Sequence, residues 1–302
     1  MSPASHAPNR QRWMGLLMAV LGAIGFSGKA IIVKLAYRHG VDAITLLMWR
    51  MLLALPFFLV MAWWSGRGKP ALTRRDWRDI AVLGFTGYYL ASYLDFAGLA
   101  YITASLERLI LYLNPTLVLL ISVLFFHHRL QARQVIAMAV SYAGVVAVFA
   151  HELSFEGSHT AIGAALVFGS AVSYAVYLSL SGKVVQRLGA LRLAGLASSV
   201  ACALCIGQFA LLKPLSSFMV PEPVLWLSLL NATACTVAPV LMVMLAIARI
   251  GAPLASQVGM VGPMSTLIMG VFILGEPMNG WIALGTVLVL AGVFLVGRKV
   301  AR

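Results

Sequence analysis

Ten apolar runs, each about as long as a membrane-spanning helix, restrict the fold of this chain more than any other feature. A spanning α-helix needs about 20 apolar residues. Because a bilayer offers no water, its interior admits only helices or closed barrels, and runs of this length predict helices. The connections between the runs are too short to form another domain. The predicted spans are 13–34, 44–64, 79–99, 104–126, 132–150, 161–182, 191–212, 224–247, 252–274 and 280–298.

The amino-acid content agrees with a chain that is surrounded by lipid. Hydrophobic residues make up 61% of the 302 residues and charged residues only 10%, whereas a soluble domain has about 25% charged residues. The net charge of +13 could indicate nucleic-acid binding, but the basic residues form short clusters between the runs rather than one basic face. We therefore expect a lipid bilayer around the protein and no nucleic-acid partner.

The basic residues also predict how the chain crosses the membrane. Lys and Arg are concentrated in cytoplasmic connections, and with a cytoplasmic N-terminus the two sides receive sixteen and three of them. This asymmetry predicts both termini in the cytoplasm, residues 1–12 as a cytoplasmic tail, and a multi-pass protein of the bacterial cytoplasmic (inner) membrane. The run from Trp13 is longer than a signal-peptide core of roughly 7–15 residues, so we expect it to be retained as the first span.

The second half of the chain resembles the first at a spacing of 148 or 149 residues. The stretch L-N-P-T-L-V-L-L-I-S-V-L-F-F around Pro115 matches V-G-P-M-S-T-L-I-M-G-V-F-I-L around Pro263. Further matches in the same order are Lys34 with Lys183, Gly40 with Gly189, and Gly144 with Gly292. Each copy, residues 13–150 and 161–298, holds five spans, an odd number, so the second copy must be inverted. Inverted repeats are typical of secondary transporters, whose halves exchange conformations to give alternating access.

The end of the second copy has the most specific pattern in the chain, L-G-E-P-M-N-G-W-I-A-L-G-T-V-L-V-L-A-G-V-F-L-V. Its marked positions are Gly275, Glu276, Gly285 and Gly292. With its five-plus-five spans, the whole chain resembles the EamA branch of the drug/metabolite transporter superfamily, and most of all the exporters of aromatic amino acids. The resemblance implies a ten-helix, all-α transporter of small metabolites. The first copy departs from the pattern, because His127-His128-Arg129 stand where the family has G-E-x, and no role for that Glu carries over.

Five ionisable residues fall within the predicted spans, at similar depths near their outer ends and all in the first copy. They are Lys29, Arg50, Asp95, Glu107 and Arg108. An ionisable group in a span costs about 2.5–3.5 kcal/mol on insertion scales, so each is a functional-site hypothesis. We expect Glu107 to pair with Lys29 or Arg50, and Arg108 with Asp95, because helix neighbours about 100° apart do not face each other. The group could be a salt-bridge network that holds the helices, an outer gate, or a proton-coupling site.

Two helix breaks at matching positions indicate where a substrate could bind. Asn114-Pro115 and Gly262-Pro263 lie near the middle of the fourth and ninth spans. Interrupted helices in corresponding positions of two halves mark binding sites in transporters, and a kink that serves packing alone is the alternative. The substrate-binding candidates around the breaks are Tyr88, Ser92, Asn114, Tyr174, Tyr177, Asn231, Gln257 and Met260. Rings with few charges suit aromatic or apolar zwitterions, although such stripes also occur as packing.

Other classes of protein fit the sequence less well. The three cysteines lie in apolar runs and the six histidines in loops or at span ends, so we expect no metal site and no cofactor. Motifs of metalloproteases, serine hydrolases and nucleotide-binding loops are missing from the sequence, which argues against an enzyme. A channel would assemble a polar pore around an axis. We predict a monomeric secondary transporter that exports small metabolites, with amino acids as the favoured substrates and a lipid or drug exporter or flippase as the alternative.

Overall fold

The structure, a computed structural model, describes residues 9–126, 132–156, 158–250, 258 and 261–297. Within these ranges the chain forms helices and no strand, which confirms the all-α prediction for them. The helices are α1 (Asn9–Tyr37), α2 (Ala43–Gly66), α3 (Arg74–Leu83), α4 (Ala91–Leu99), α5 (Ala104–Leu111), α6 (Asn114–Phe126), α7 (Ala132–Glu156), α8 (Ser158–Leu188), α9 (Ala190–Leu212), α10 (Glu222–Ala232), α11 (Ala238–Ile250), α12 (Val261–Met269) and α13 (Gly280–Gly297). Three π-helical segments join α3 to α4, join α10 to α11, and follow α12; they are Gly84–Leu90, Thr233–Val237 and Gly270–Leu274.

The outer surface of the helices is apolar. Among the described residues, six helical stretches are long and apolar enough to cross a membrane, and large aliphatic side chains such as Leu59, Val60 and Val287 are more than half exposed. Exposed tryptophans stand close to helix ends, for example Trp64 and Trp226, as in the aromatic belts of membrane proteins. These features fit a multi-pass membrane protein. The count of ten spans and the cytoplasmic position of both termini stay predictions.

The third helix begins five residues earlier than its predicted span, at Arg74. Thr73 and Asp76 form a capping box, in which the Thr73 hydroxyl accepts from the Asp76 N–H and the Asp76 carboxylate accepts from the Thr73 N–H. The Thr73 hydroxyl and the Thr73 N–H donate to the Asp76 carboxylate at 2.7 and 2.9 Å, and with the Arg187 guanidinium at 2.7 Å they hold the pKa of Asp76 below its usual range. The basic residues of this first turn made it resemble a connection, whereas the cap extends the helix through them.

The fourth predicted span is two helices separated by a short turn. α5 ends at Leu111 and α6 begins at Asn114, and Leu113 N–H donates to the Ile110 carbonyl over a three-residue turn. Pro115 therefore lies in the first turn of α6, where a missing N–H costs no helical hydrogen bond. The break is present as predicted, but it precedes the proline, because Pro115 lies at the beginning of α6 and not within a continuous helix.

Some of the close contacts between the two halves occur in reciprocal pairs. A Cβ atom at Gly15 would lie 2.6 Å from Cγ2 of Ile250, and one at Gly163 would lie 2.7 Å from Cγ2 of Ile102. Gly163 follows Gly15 by 148 residues, and Ile250 follows Ile102 by the same number. Reciprocal contacts of this kind are produced by a two-fold axis, as between the subunits of a symmetric dimer.

A second reciprocal pair lies at the π-helical segments. The Ser173 hydroxyl donates to the Thr86 carbonyl at 2.7 Å. In the corresponding place, the Ala234 carbonyl oxygen would lie 2.8 Å from a Cβ atom at Gly25. Ser173 follows Gly25 by 148 residues, and Ala234 follows Thr86 by the same number. The Thr86 and Ala234 carbonyls belong to π-helical segments that begin 149 residues apart. The two halves are thus related by a pseudo-two-fold axis in their contacts and in their irregular turns.

Helix packing follows the same relation. α1 packs on α11 and α12 as α8 packs on α4 and α6, while α2 faces α9 and α7 faces α13. Gly40 and Gly189, which the sequence alignment pairs, both have left-handed backbone, with φ of 76° and 87°. Each follows the first helix of its half, where a residue with a side chain would be strained. This arrangement leaves the polar residues of α1, α2, α4, α5 and α8 toward the middle of the molecule.

Candidate functional site

Four of the five predicted ionisable residues form one buried cluster between α1, α4 and α5. The Lys29 Nζ atom lies 2.5 Å from Asp95 Oδ2 and 3.8 Å from Glu107 Oε1. The Arg108 Nε atom lies 3.7 Å from Glu107 Oε2. Both carboxylate side chains are at most 2% exposed. We call Lys29, Asp95, Glu107 and Arg108 the charge cluster; it contains two cations and two anions.

The pairing within this cluster differs in part from the prediction. The expected contact of Glu107 with Lys29 is present. The expected pairing of Arg108 with Asp95 was wrong, because Arg108 lies against its neighbour Glu107 and Asp95 is taken by Lys29. Backbone positions about 100° apart do not prevent this contact, since the long Arg and Glu side chains bend toward each other beside the first turn of α5.

Arg50, the fifth predicted residue, does not join the charge cluster. Its Nε donates to the Thr236 hydroxyl at 2.9 Å, and its guanidinium lies 5.2 Å from the centre of the Phe96 ring. The residue is only 7% exposed, and its Nη1 atom is buried without a hydrogen-bond partner. In the described ranges no carboxylate oxygen forms a salt bridge with it, so the alternative pairing of Glu107 with Arg50 was wrong.

Three of the predicted substrate-binding residues form a second cluster, at the meeting of α8 with the first π-helical segment. The hydroxyl oxygens of Tyr88 and Tyr177 are 3.2 Å apart, and the Tyr174 and Tyr177 rings stack with centres 5.4 Å apart. A Cβ atom at Gly87 would lie 2.4 Å from the Tyr177 ring, so only glycine permits this packing. We call Tyr88, Tyr174 and Tyr177 the tyrosine cluster.

One residue of each cluster occupies a corresponding place in the two halves. Tyr177 follows Lys29 by 148 residues. Thr236, which binds Arg50 outside the charge cluster, follows Tyr88 by the same number. The pseudo-two-fold axis therefore relates Lys29 of the charge cluster to Tyr177 of the tyrosine cluster.

The remaining predicted residues lie between these clusters or outside the described ranges. Ser92 is half-buried, one helical turn from both Tyr88 and Asp95. The Asn114 amide donates to the Leu111 carbonyl at 2.8 Å, and its oxygen is buried without a partner. Asn231 is fully buried, and neither atom of its amide has a partner. Gln257 and Met260 lie outside the described residues.

The two predicted helix breaks are brought together. The Ser27 hydroxyl of α1 donates to the Gly262 carbonyl at 2.6 Å. A Cβ atom at Gly262 would lie 3.4 Å from the hydroxyl of Tyr112, which stands in the turn between α5 and α6. Gly262 and Pro263 lie where the described part of α12 begins, and residues 259 and 260 lie outside the described residues, so a helix break there stays a prediction. Gly262 and the turn between α5 and α6 thus lie side by side next to α1.

Glu276 has a clear role that the sequence reasoning did not assign. Its carboxylate accepts from the N–H groups of Ala104 and Ser105 at 2.7 and 3.2 Å and from the Ser105 hydroxyl at 2.6 Å. It therefore caps the N-terminus of α5, the helix that carries Glu107 and Arg108, from the other half of the chain. The signal in the sequence was the Gly-Glu pair of the family pattern, whose function the pattern alone does not state.

An all-helical fold with an apolar outer surface, two related halves and a buried polar centre defines a multi-pass membrane protein of the transporter kind. The profile of the EamA-like transporter family matches residues 13–150 and 161–298. The chain belongs to this family, and proteins of this family are transporters rather than enzymes. Within the described ranges, His, Cys, Asp and Glu form no group of three or more that could hold a metal ion.

Relatives and a solved structure cover nearly the whole chain. YcbK of Bacillus subtilis (strain 168), an uncharacterized transporter, is 28% identical over 95% of this chain and 92% of its own length. An uncharacterized transporter of Archaeoglobus fulgidus is 25% identical over 94% of this chain and 97% of its own length. A crystal structure with 19% identity covers 93% of this chain and 95% of its own, with a TM-score of 0.64, and so shares the fold.

Proposed function

We propose that this membrane transporter is a secondary transporter of the bacterial cytoplasmic membrane that exports amino acids with apolar or aromatic side chains. The observation that carries the mechanism is the set of reciprocal contacts between the halves, such as Gly15 with Ile250 and Gly163 with Ile102. Two halves with one architecture can exchange conformations, and this exchange opens the central site first to one side of the membrane and then to the other.

In this mechanism the two clusters are the closures of the two sides. The charge cluster joins α1, α4 and α5 near the predicted outer end of the spans. The tyrosine cluster joins α8 to the π-helical segment Gly84–Leu90, nearer the predicted inner end. The tyrosines are packed against glycine and against one another, which supports a closure rather than a binding surface. Alternating access then breaks one cluster while the other stays formed.

The residues between the closures support a zwitterionic substrate. Ser92, Asn114 and Asn231 offer hydroxyl and amide groups, and two of the three carry buried polar atoms without partners. Tyr112 and Phe96 supply aromatic surface nearby. Aromatic walls with few polar groups bind apolar side chains and fix the polar end of a ligand.

Transport by the purified protein in liposomes tests the proposal. Uptake of labelled amino acids, measured with and without a pH gradient, should be saturable for apolar and aromatic members of a full panel. No transport of any amino acid would refute the substrate class, and movement of a fluorescent lipid or a lipophilic drug would support the alternative. A rate that ignores the gradient would remove the proton-coupling role of Asp95 and Glu107.

A single variant separates a gate from a structural network in the charge cluster. Glu107→Gln keeps the shape of a side chain that is fully buried but removes its charge. Loss of transport with unchanged thermal stability supports the gate. Loss of stability with transport that remains in the folded fraction supports a network that only holds the helices.

A further inference from the structure

Arg50 is a buried guanidinium that forms no salt bridge in the described part of the chain. It lies in α2 close to Phe96 and Cys202 of the apolar core. The Asp95 carboxylate acts on Arg50 from beyond salt-bridge distance, but it is paired with Lys29, and in the charge cluster two cations already balance two carboxylates. A charge that is removed from water without a paired counter-ion is costly, and an anion bound there for part of the functional cycle would offset that cost.

The guanidinium is also held in a fixed direction with donors to spare. Thr236 accepts from Nε at 2.9 Å and the Phe96 ring lies 5.2 Å away, while Nη1 has no partner. Buried polar atoms without partners are rare in folded proteins. An Arg fork oriented in this way matches the two oxygens of a carboxylate, because parallel N–H groups can donate to both.

A second unsatisfied group lies on the same helical stretch as Thr236. The Thr236 hydroxyl donates at 2.8 Å to the backbone carbonyl of Asn231. The Asn231 side chain is fully buried, and both its amide nitrogen and its amide oxygen lack partners. Arg50 and Asn231 are thus linked through one threonine, and both have buried hydrogen-bonding atoms that a ligand could satisfy.

We infer that Arg50 binds the carboxylate of the transported substrate and that the Asn231 amide is a second polar contact for the same end of the ligand. The inference deepens the proposed function and rests on it, since it assigns the anion-binding group of that central site. One uncompensated positive charge matches a monoanionic carboxylate better than a dianionic phosphate. Binding of the carboxylate then neutralises the charge of Arg50, so the bound ligand also stabilises the folded protein.

Ligand-dependent thermal unfolding of the detergent-purified protein tests this assignment. The probes are L-phenylalanine, 3-phenylpropionate, which lacks the ammonium group, phenethylamine, which lacks the carboxylate, inorganic phosphate, and a panel of other mono- and dicarboxylates. Carboxylate probes should raise the unfolding temperature, whereas phenethylamine and phosphate should not. If no carboxylate in the panel stabilises the protein, or if phenethylamine acts as well as phenylalanine, the inference is overturned.

Three variants assign the effect to the guanidinium. Arg50→Met and Arg50→Lys should weaken carboxylate binding at least about tenfold, because charge-assisted hydrogen bonds are lost or the fork is removed. Arg192→Met is the matched control, since Arg192 is 9% exposed but donates to the Pro70 carbonyl; it should leave the ligand effect unchanged. Without ligand, Arg50→Met should be as stable as the parent protein or more stable, because it removes a buried charge that forms no salt bridge in the described ranges.

The results of these experiments test the role of Arg50 and the amino-acid substrate separately. An unchanged phenylalanine effect in Arg50→Lys or Arg50→Met refutes the role of Arg50 and leaves amino-acid transport standing. Stabilisation by other carboxylates but by no amino acid, lost in both variants, supports Arg50 and refutes the amino-acid substrate. An Arg50→Met protein that unfolds without ligand as readily as a variant lacking Lys29, or fails to fold while Arg50→Lys binds normally, shows that Arg50 is a structural residue.

Discussion

Replacing Lys29 with Met should destabilise the protein strongly, because it leaves two buried carboxylates short of a cation. Asp95 loses a partner at 2.5 Å and Glu107 loses one at 3.8 Å. At an effective dielectric constant of about 20, these distances correspond to attractions of about 7 and about 4 kcal/mol, which desolvation offsets in large part. Removing one member of a buried pair costs about 3–5 kcal/mol in measured cases, and we expect a loss in that range.

Thermal unfolding in one detergent measures this loss. For a chain of this size, about 3–5 kcal/mol corresponds to a fall of about 6–10 °C in the unfolding temperature. The double variant Lys29→Met/Asp95→Asn removes one charge of each sign and should recover most of the loss, so the two substitutions should show strong coupling in a double-mutant cycle. If the double variant is no more stable than Lys29→Met alone, the uncompensated carboxylate is not the cause, and lost packing of the Lys29 stem explains the effect.

Four further substitutions, one of them with a control substitution at Gly182, test other parts of the structure. Gly163→Ala should lower stability by about 1–3 kcal/mol through overpacking between the halves, whereas Gly182→Ala, which meets no atom within 4 Å, should be neutral or stabilising by up to about 1 kcal/mol; equal effects in unfolding experiments would contradict the close approach. Asp76→Asn should lower thermal stability above about pH 4, and the difference should vanish as the pH falls through the lowered pKa of Asp76; a difference independent of pH would show that the carboxylate is not the stabilising species. Glu276→Gln should speed amide hydrogen exchange in the first turn of α5, and unchanged exchange would rule out its capping role. Tyr177→Phe should cost only about 1 kcal/mol, since it removes one hydroxyl contact and keeps the ring; a loss as large as that of Lys29→Met would mean that the hydroxyl holds more than its neighbour.

The sequence predicts the helical class and the common depth of the charge cluster, because both depend on position along the chain. Runs of membrane-spanning length define where helices occur, and distance from a helix end sets the level of Lys29, Asp95 and Glu107 in the bilayer. Which charged residues at one depth form pairs depends on the rotation of each helix and on the direction of each side chain, and a single sequence does not contain this information. For this reason the sequence could bring Lys29, Asp95 and Glu107 together, while the pairing of Arg108 with Asp95 was wrong and the separation of Arg50 was not foreseen; the depth of the cluster in the bilayer stays a prediction.

Two site residues show different limits of the sequence. Thr236 lies in an apolar stretch without a local motif, and only its offset of 148 residues from Tyr88 connects it with a polar position. Glu276 belongs to a recognisable pattern, but its action on the N-terminus of α5 depends on a contact between the halves. In both residues the missing information is tertiary, and the internal repeat is the one sequence feature that carries part of it.

The two halves share an architecture but use different chemistry at corresponding places, and this difference bears on the energies of the two conformations. Separating the charge cluster exposes ions to water, which solvates them well, so exposed ion pairs contribute only about 0–1 kcal/mol. Separating the tyrosine cluster exposes ring surface, at about 25 cal/mol per Å² of apolar area. If the clusters are the two closures, hydration favours opening at the charged side over opening at the tyrosines. Halves of the same fold then give two conformations of unequal free energy.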